Sequence, residues 1–246
     1  QQAFQSGQPM PEDGTTKEAV LKIGPKDIES LSASLAISRP GSLAHLPTYA
    51  KYARTGELKP IYPAIDEVLS ETGNVLIYQE QITRVCMEVF GMTSVAADTI
   101  RYNVGKKKKE EMAKSEQTLL DQGKLFKVPA EIVKYFWDVC NASADYLFVK
   151  SHAVSYGYMT AVTAFLKAKV PQAFYLWMLK LSREEPDALQ YMRAIIAEMR
   201  KVGIDLLQPD LIKSDMDFTI AGKDIRFGLG SIRGISEMTL AKLSSF

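Results

Sequence analysis

The sequence predicts a mainly α-helical fold with a small β-hairpin near the C-terminus. Three observations predict it. Apolar residues recur at three- and four-residue steps through most of the 246-residue chain, as on one face of a helix. Glycine or proline closes most of these segments, as at helix ends. Only residues 218–227 combine short apolar runs with a turn of hairpin length.

Local chemistry sets the boundaries of the predicted elements. Residues 1–25 are rich in Gln, Gly, Pro and Thr and should form a loop with one short helix, and a loose tract is expected between Gly41 and Pro63. Asp27 is a typical N-cap, Gly91 a typical helix end, and Pro171 a typical first-turn residue. In chain order, the predicted helices cover residues 16–21, 27–37, 64–70, 82–90, 94–105, from 110 onward, 129–139, 151–170, 171–181 and 188–202, and the hairpin strands cover 218–220 and 224–227.

A cation, a hydroxyl and an imidazole follow one another at Lys150-Ser151-His152, where the long apolar segment to Val170 begins. The first turn of a helix has unpaired N–H groups and a partial positive charge, so an anion can bind there. Ser151 is also a typical N-cap, in which case its hydroxyl only satisfies the helix backbone. The stretch alone leaves both interpretations open.

Composition places the chain among ordinary globular proteins, because 46% of its residues are hydrophobic and 24% are charged. The length allows one large domain or two of ordinary size. Cys86 and Cys140 lie in apolar helical patterns, which indicates buried free thiols in a reducing compartment, although a disulfide stays open. No signal-peptide core and no run of ~18 apolar residues is visible, so we expect a cytoplasmic protein.

The charges are unevenly distributed, although the net charge is only +1. Residues 101–127 carry eight basic and four acidic side chains, and residues 150–183 carry five basic and none acidic. Residues 57–88 compensate with six acidic and two basic side chains. If both basic windows face one cleft, they form an anion-attracting field that the overall sum hides. The lysines at 106–109 would fit this field, or they form a solvated corner.

Two further motifs point to other chemistry. Asp215 and Asp217 would lie on one face of a strand and could share a divalent cation, as in a metal nuclease, but no third carboxylate stands nearby on a matching strand. Residues 228–234 are one residue off a dinucleotide-binding fingerprint, lack its strand-helix context, and should form a turn before a helix. Neither histidine, His45 or His152, has a cysteine beside it in sequence to suggest a nucleophile.

Four motifs then follow one another along the chain. They are Arg39-Pro40-Gly41, Tyr78-Gln79-Glu80-Gln81, Ala97-Asp98 through Arg101 to Lys108 with Glu110-Glu111-Met112, and Lys150-Ser151-His152-Ala153. In this order and at these intervals they resemble the C-family bacterial replicative DNA polymerases, the alpha subunits of DNA polymerase III. Phe4-Gln5-Ser6, Pro209-Asp210 and residues 225–230 also resemble the family, so the resemblance spans nearly the whole chain.

The resemblance implies the fingers domain, which is mostly helical and covers the incoming deoxynucleoside triphosphate and the end of the template-primer DNA. In this family the carboxylates that bind two magnesium ions lie in the palm, upstream of the residues present here. The chain alone should therefore have no catalytic residue and be inactive by itself. The expected partners are template-primer DNA, the nucleotide, the palm and other polymerase domains, and a sliding clamp through regions not present here.

The resemblance also implies domains and site residues. It divides the chain into a connecting segment at 1–25, a helical fingers domain at 26–205, and a strand and helix extension at 206–246. The side chains expected to bind the triphosphate are Arg101, Lys106, Lys107, Lys150, Ser151 and His152. The side chains expected to line the same cleft or to position the cations are Gln79, Glu80, Gln81 and Lys108.

Three positions depart from the family pattern. Tyr102 stands where the family usually has a second arginine, and Leu147 and Val149 replace a glycine and an asparagine. The alternative hypothesis is a non-catalytic helical module that binds nucleic acid through the two basic windows and has no nucleotide site. It differs from a polymerase fingers domain in predicting DNA binding with a steep salt dependence and no response to added nucleotide.

Overall fold

A computed structural model describes residues 15–39, 42–106, 109–143, 147–232 and 234–235. Within these ranges the fold is mainly α-helical, as predicted. The helices are α1 (Thr15–Ile23), α2 (Ile28–Ile37), α3 (Leu46–Thr55), α4 (Pro63–Leu69), α5 (Gln79–Glu88), α6 (Ser94–Lys106), α7 (Lys109–Leu125), α8 (Ala130–Ser143), α9 (Lys150–Lys169), α10 (Pro171–Leu181) and α11 (Ala188–Lys201). Predictions for Phe4-Gln5-Ser6, Pro40-Gly41, Lys107, Lys108 and the residues after 235 lie outside the described ranges.

The helix boundaries confirm the capping predictions where the chemistry is local. Asp27 caps α2: its carboxylate accepts the N–H of Ser30 at 2.7 Å, and the Ser30 hydroxyl accepts the Asp27 N–H at 3.3 Å. Pro171 occupies the first turn of α10, where its missing N–H has no partner to lose.

The predicted loose tract before residue 63 is wrong, because it contains α3. Proline lies in the first turn of this helix, and Gly56 ends it in a left-handed conformation with φ of 72°. Its buried face consists of only Leu46, Tyr49 and Ala50, which is too short to give a clear period in the sequence.

A three-stranded sheet follows the last helix, with β1 at Leu206–Leu207, β2 at Thr219–Ala221 and β3 at Asp224–Arg226. The predicted hairpin is confirmed: β2 and β3 pair antiparallel, with Ile220 opposite Ile225. The sequence did not predict β1, which pairs parallel to β3 and makes the strand order β1-β3-β2.

The chain divides into two compact units, one ending at Ala161 and the other beginning at Val162. The first unit has two apolar cores, one around α4 to α8 and one around α1 to α3. In the described part of the second unit, α10 and α11 pack with the sheet in one apolar core that includes Phe218 and Ile225. The domain boundaries inferred from the resemblance, at 25 and 205, stay predictions.

Helix α9 begins in the first unit, and its close approach to α2 depends on a glycine. A Cβ at Gly157 would overlap the hydroxyl of Ser32, whose own residue is fully buried. The apolar period that predicts α9 does not correspond to a buried face, since Tyr158 is 62% and Phe165 is 60% exposed.

The two cysteines are free and buried, as predicted. Burial raises the pKa of the Cys86 thiol to about 12 and that of Cys140 well above its ordinary value, so neither is a reactive thiolate. Among the described residues, no helix has the length and apolar character needed to cross a membrane.

Candidate anion-binding site

Two short extended segments pair in parallel immediately before α5 and α9. The N–H of Phe148 donates to the carbonyl of Ile77 at 3.2 Å, and the N–H of Gln79 donates to the carbonyl of Phe148 at 2.9 Å. Because α5 starts at Gln79 and α9 at Lys150, this pairing brings the N-termini of two helices together. We call it the 78–148 bridge, after its paired residues Tyr78 and Phe148.

The side chain of Gln79 joins this bridge to α6. Its Oε1 accepts a hydrogen bond from Nη1 of Arg101 at 3.0 Å, and its Nε2 donates to the carbonyl of Leu147 at 3.0 Å. Nε of Arg101 donates to Asp98 at 2.7 Å, which holds the pKa of the Asp98 carboxyl below its ordinary value. The structure thus brings Arg101 into one hydrogen-bonded group with the start of α9.

Glu80 caps α9 from a distant part of the sequence. Both of its carboxylate oxygens accept the N–H of Lys150 at 2.9 Å. A carboxylate is favourable at a helix N-terminus because the macrodipole is positive there. Of the two interpretations left open by the sequence, the one in which Ser151 is the N-cap does not hold: the helix already includes Lys150, and Ser151 is exposed within its first turn.

The ammonium of Lys150 is paired with a carboxylate that sequence reasoning missed. Its Nζ lies 2.7 Å from Oε2 of Glu71 and 5.8 Å from the centroid of the Tyr78 ring. Glu71 belongs to the short 3-10 turn Ser70–Thr72 that follows α4. No local spacing relates Glu71 to Lys150, so the sequence held no signal for the pair.

Gln81 supports the 78–148 bridge from inside the protein and is only 1% exposed. Its Oε1 accepts the N–H groups of Ile77 and Tyr78, both at 2.9 Å, and its Nε2 donates to the hydroxyl of Thr72 at 2.6 Å. Both polar atoms of this amide are therefore hydrogen-bonded within the protein. The side chain therefore positions backbone rather than meeting a ligand.

His152 is exposed at the start of α9 and takes part in a row of rings. Its imidazole centroid lies 5.2 Å from that of Phe148 and 4.6 Å from that of Tyr156. The guanidinium of Arg39 lies 5.2 Å from the Phe148 ring centroid. Sequence reasoning did not select Tyr156, although its four-residue spacing from His152 places both on one helix face.

Lys106 lies exposed at the C-terminal end of α6, with its Nζ 5.6 Å from the ring centroid of Tyr102. The tyrosine that departs from the family pattern therefore supplies a ring for a cation–π contact. Lys107 and Lys108 lie outside the described residues.

The second basic window is largely balanced by carboxylates from elsewhere in the chain. Lys167 pairs with Glu198 at 2.8 Å, and Arg183 and Lys180 pair with Asp217 at 2.9 and 3.6 Å. The net charge of a sequence window therefore overstates the field at this part of the surface, because it leaves out partners that folding brings in.

The same contacts weaken the metal hypothesis for Asp215 and Asp217. Asp217 faces two cations, and Oδ1 of Asp215 accepts the N–H of Met216 at 2.7 Å. Within the described ranges, no three His, Cys, Asp or Glu side chains are grouped so that they could hold a metal ion.

Two kinds of comparison, with family models and with individual proteins, relate this chain to known proteins. Residues 9–125 match the model of the bacterial DNA polymerase III alpha subunit finger domain, and residues 203–245 match a helix-hairpin-helix motif. Proteins named DNA polymerase III subunit alpha are 36% identical in Aquifex aeolicus, 33% in Thermus aquaticus and 32% in Mycobacterium tuberculosis. The matches cover 91%, 92% and 94% of this chain, but only 19%, 19% and 20% of those relatives.

Proposed function

The chain belongs to the family of bacterial DNA polymerase III alpha subunits, and from this membership we propose that it acts as the fingers portion of a replicative DNA polymerase. It spans about a fifth of the length of the curated relatives it matches. The proposed role is to bind the incoming deoxynucleoside triphosphate and the template-primer DNA during template-directed synthesis. The cytoplasmic location and the sliding-clamp contact stay predictions.

One observation carries the nucleotide part of the proposal: the 78–148 bridge and Gln79 hold Arg101 beside the start of α9. A triphosphate needs several cations held at fixed positions, because phosphoryl transfer depends on orientation and on neutralising the developing charge. Arginine can bind a phosphate with two parallel N–H groups, whereas lysine acts as a point charge. Arg101 and Lys150 supply one of each.

The neighbouring exposed groups extend this proposed site. Ser151 and His152 lie in the first turn of α9 and would contact phosphate or sugar. Lys106 would meet the phosphates from the end of α6, and Lys107 is proposed as a further phosphate ligand. Gln79 and Glu80 act as positioning residues, since their side chains hold Arg101 and the first turn of α9.

Magnesium ions would supply the chemistry at the reacting phosphate in such a polymerase. The described residues do not fit a magnesium site, because Asp217 is taken up by cations and no suitable cluster is present among them. As the family membership implies, we propose that the metal ions are held by the palm of the same polymerase. The role of this chain is to bind and orient the nucleotide.

The test is nucleotide incorporation by the complete polymerase carrying Lys150→Ala or Arg101→Ala. Each charge-assisted hydrogen bond is worth about 1.5–3 kcal/mol, so each substitution should raise KM for the nucleotide roughly ten- to hundred-fold. Lys51→Ala is the control, because Lys51 lies on α3 and pairs at the surface with Glu57. Unchanged incorporation kinetics in both site variants would refute the nucleotide role.

The alternative, a nucleic-acid-binding module without a nucleotide site, has less support. It depends on the two basic windows, and most cations of the second window are paired with carboxylates from elsewhere in the chain. It predicts that the chain binds template-primer DNA with a steep salt dependence and that added nucleotide changes nothing. A nucleotide-dependent increase in DNA affinity would exclude it.

A further inference from the structure

Both anion-binding positions of Lys150 are occupied by carboxylates of the chain itself. Glu71 contacts the ammonium at 2.7 Å, and Glu80 accepts the backbone N–H at 2.9 Å. The site proposed for phosphate is therefore already supplied with negative charge before any ligand is present. A phosphate can engage the lysine only by displacing or sharing one of these carboxylates.

The turn that carries Glu71 is held rigidly. The hydroxyl of Thr72 donates to the carbonyl of Val75 at 2.7 Å and accepts from the amide of Gln81 at 2.6 Å. Gly73 follows with φ of 63°, and a Cβ there would overlap the ring of Tyr52. Because the backbone on the C-terminal side of Glu71 is fixed, its carboxylate is delivered to Lys150 with little loss of chain entropy.

The two carboxylates have different structural duties. Glu80 caps α9, so the helix itself depends on it. The hydrogen bond of the Glu71 side chain within the described residues goes to the Lys150 ammonium, whose side chain remains 35% exposed. Glu71 is thus the carboxylate that an incoming anion can replace at Lys150 without uncapping the helix.

We propose that Glu71 is a built-in competitor for the proposed phosphate site: it holds the Lys150 ammonium until a polyphosphate displaces it. This inference rests on the proposed function only in assigning Lys150 to the triphosphate. Glu71 is a positioning residue, acting on the ligand through Lys150. In the empty site, the Lys150 ammonium is then held and neutralised by Glu71. It becomes available only to a ligand with enough negative charge to compete with that carboxylate.

The experiment measures the binding of inorganic tripolyphosphate to the chain by calorimetry. Glu71→Gln removes the competing charge and keeps the shape, so the Kd should fall by about three- to ten-fold. Glu57→Gln is the matched control, because Glu57 also pairs with a lysine at 2.7 Å, and that lysine, Lys51, is not a proposed phosphate ligand. The Kd of Glu57→Gln should stay within about two-fold of the wild-type value, because an exposed ion pair contributes little free energy.

A double-mutant cycle separates competition from a general structural effect. In the Lys150→Ala background, Glu71→Gln should no longer tighten binding, and Glu71→Asp should bind more weakly than Glu71→Gln. Thermal unfolding of each variant shows whether it is folded. The inference is overturned if Glu71→Gln binds no tighter than the wild type, if the tightening persists without Lys150, or if no variant binds tripolyphosphate.

These outcomes are distinct from those of the proposed function. If the cycle holds while Lys150→Ala leaves nucleotide incorporation unchanged, the competitor stands and the nucleotide role fails. If incorporation depends on Lys150 but Glu71→Gln fails to tighten tripolyphosphate binding, the nucleotide role stands and the competitor fails.

Discussion

The amide of Gln79 is the link on which the proposed site depends, and its removal has a calculable effect. Gln79→Ala deletes the bond from Arg101 and the bond to Leu147, both at 3.0 Å, and leaves the backbone bond to Phe148. A hydrogen bond to a charged group contributes about 1.5–3 kcal/mol and a neutral one about 0.5–1.5. Water replaces part of each because the side chain is only half-buried, so we expect the free energy of unfolding to fall by about 1–3 kcal/mol.

Urea unfolding of the chain measures this loss, and an unchanged m-value would show that the unfolded state is unaffected. Gln117→Ala is the control, since Gln117 is exposed on α7 and bonds Asp121 four residues away at 3.0 Å. It should cost less than about 0.5 kcal/mol. A cycle with Arg101→Met should show a coupling of about 1 kcal/mol or more. A loss no larger than that of the control, or additive effects of Gln79→Ala and Arg101→Met, would refute the bridging role.

Three further predictions concern the support of the site. Gly157→Ala should lower stability by about 1–2 kcal/mol in urea unfolding, since a Cβ displaces the Ser32 hydroxyl, and Ser32→Ala should restore part of the loss. Gln81→Leu should cost about 3 kcal/mol or more, measured the same way, because two buried N–H groups lose their acceptor. Asp27→Ala should cost about 0.5–2 kcal/mol. Hydrogen bonds from Ser30 lower the pKa of Asp27. The contribution of Asp27 to stability is therefore present above its ordinary pKa of 3.8 and is lost as the pH falls through the lowered value. Unfolding curves measured at several pH values would show this loss.

The parts of the fold that the sequence predicted are those controlled by neighbours in the chain. Helix periods, the Asp27 cap and the hairpin between β2 and β3 all depend on residues within a few positions of one another. Helix α3 was missed although Pro47 and Gly56 mark its two ends, because its buried face is short. Strand β1 has two residues, which is too few for any period, and it forms only by pairing with β3.

The burial of side chains was harder to predict from the sequence than the positions of the helices. The spacing of apolar residues in α9 fits a helix, yet Tyr158, Met159 and Phe165 are each at least 60% exposed. Periodicity reports which residues share a face, and it says nothing about what that face packs against. Trp177 on α10 is likewise 61% exposed.

In the candidate site, too, the contacts between residues far apart in sequence were not predicted. The sequence and the family resemblance selected Arg101 and Lys150, but they did not select Glu71, which is 79 positions from its partner lysine. Charge counted over windows assumes that each cation meets the charges beside it in the chain. In the folded protein Lys150 meets Glu71 instead, so a lysine of the window that looked purely basic is paired with a carboxylate of the acidic window at residues 57–88.

The motif Gln79-Glu80-Gln81 shows how one short sequence can position a whole site. Successive residues of a helix point about 100° apart, so the three side chains leave the first turn of α5 in different directions. The first meets Arg101, the second caps the helix that starts at Lys150, and the third closes the buried side of the bridge. Their substitutions should therefore be separable: loss of Gln79 releases Arg101 from the bridge while Asp98 still holds it, loss of Glu80 uncaps α9, and loss of Gln81 destabilises the buried side of the bridge. Three identical phenotypes would mean that the motif acts only through stability and does not position the cations.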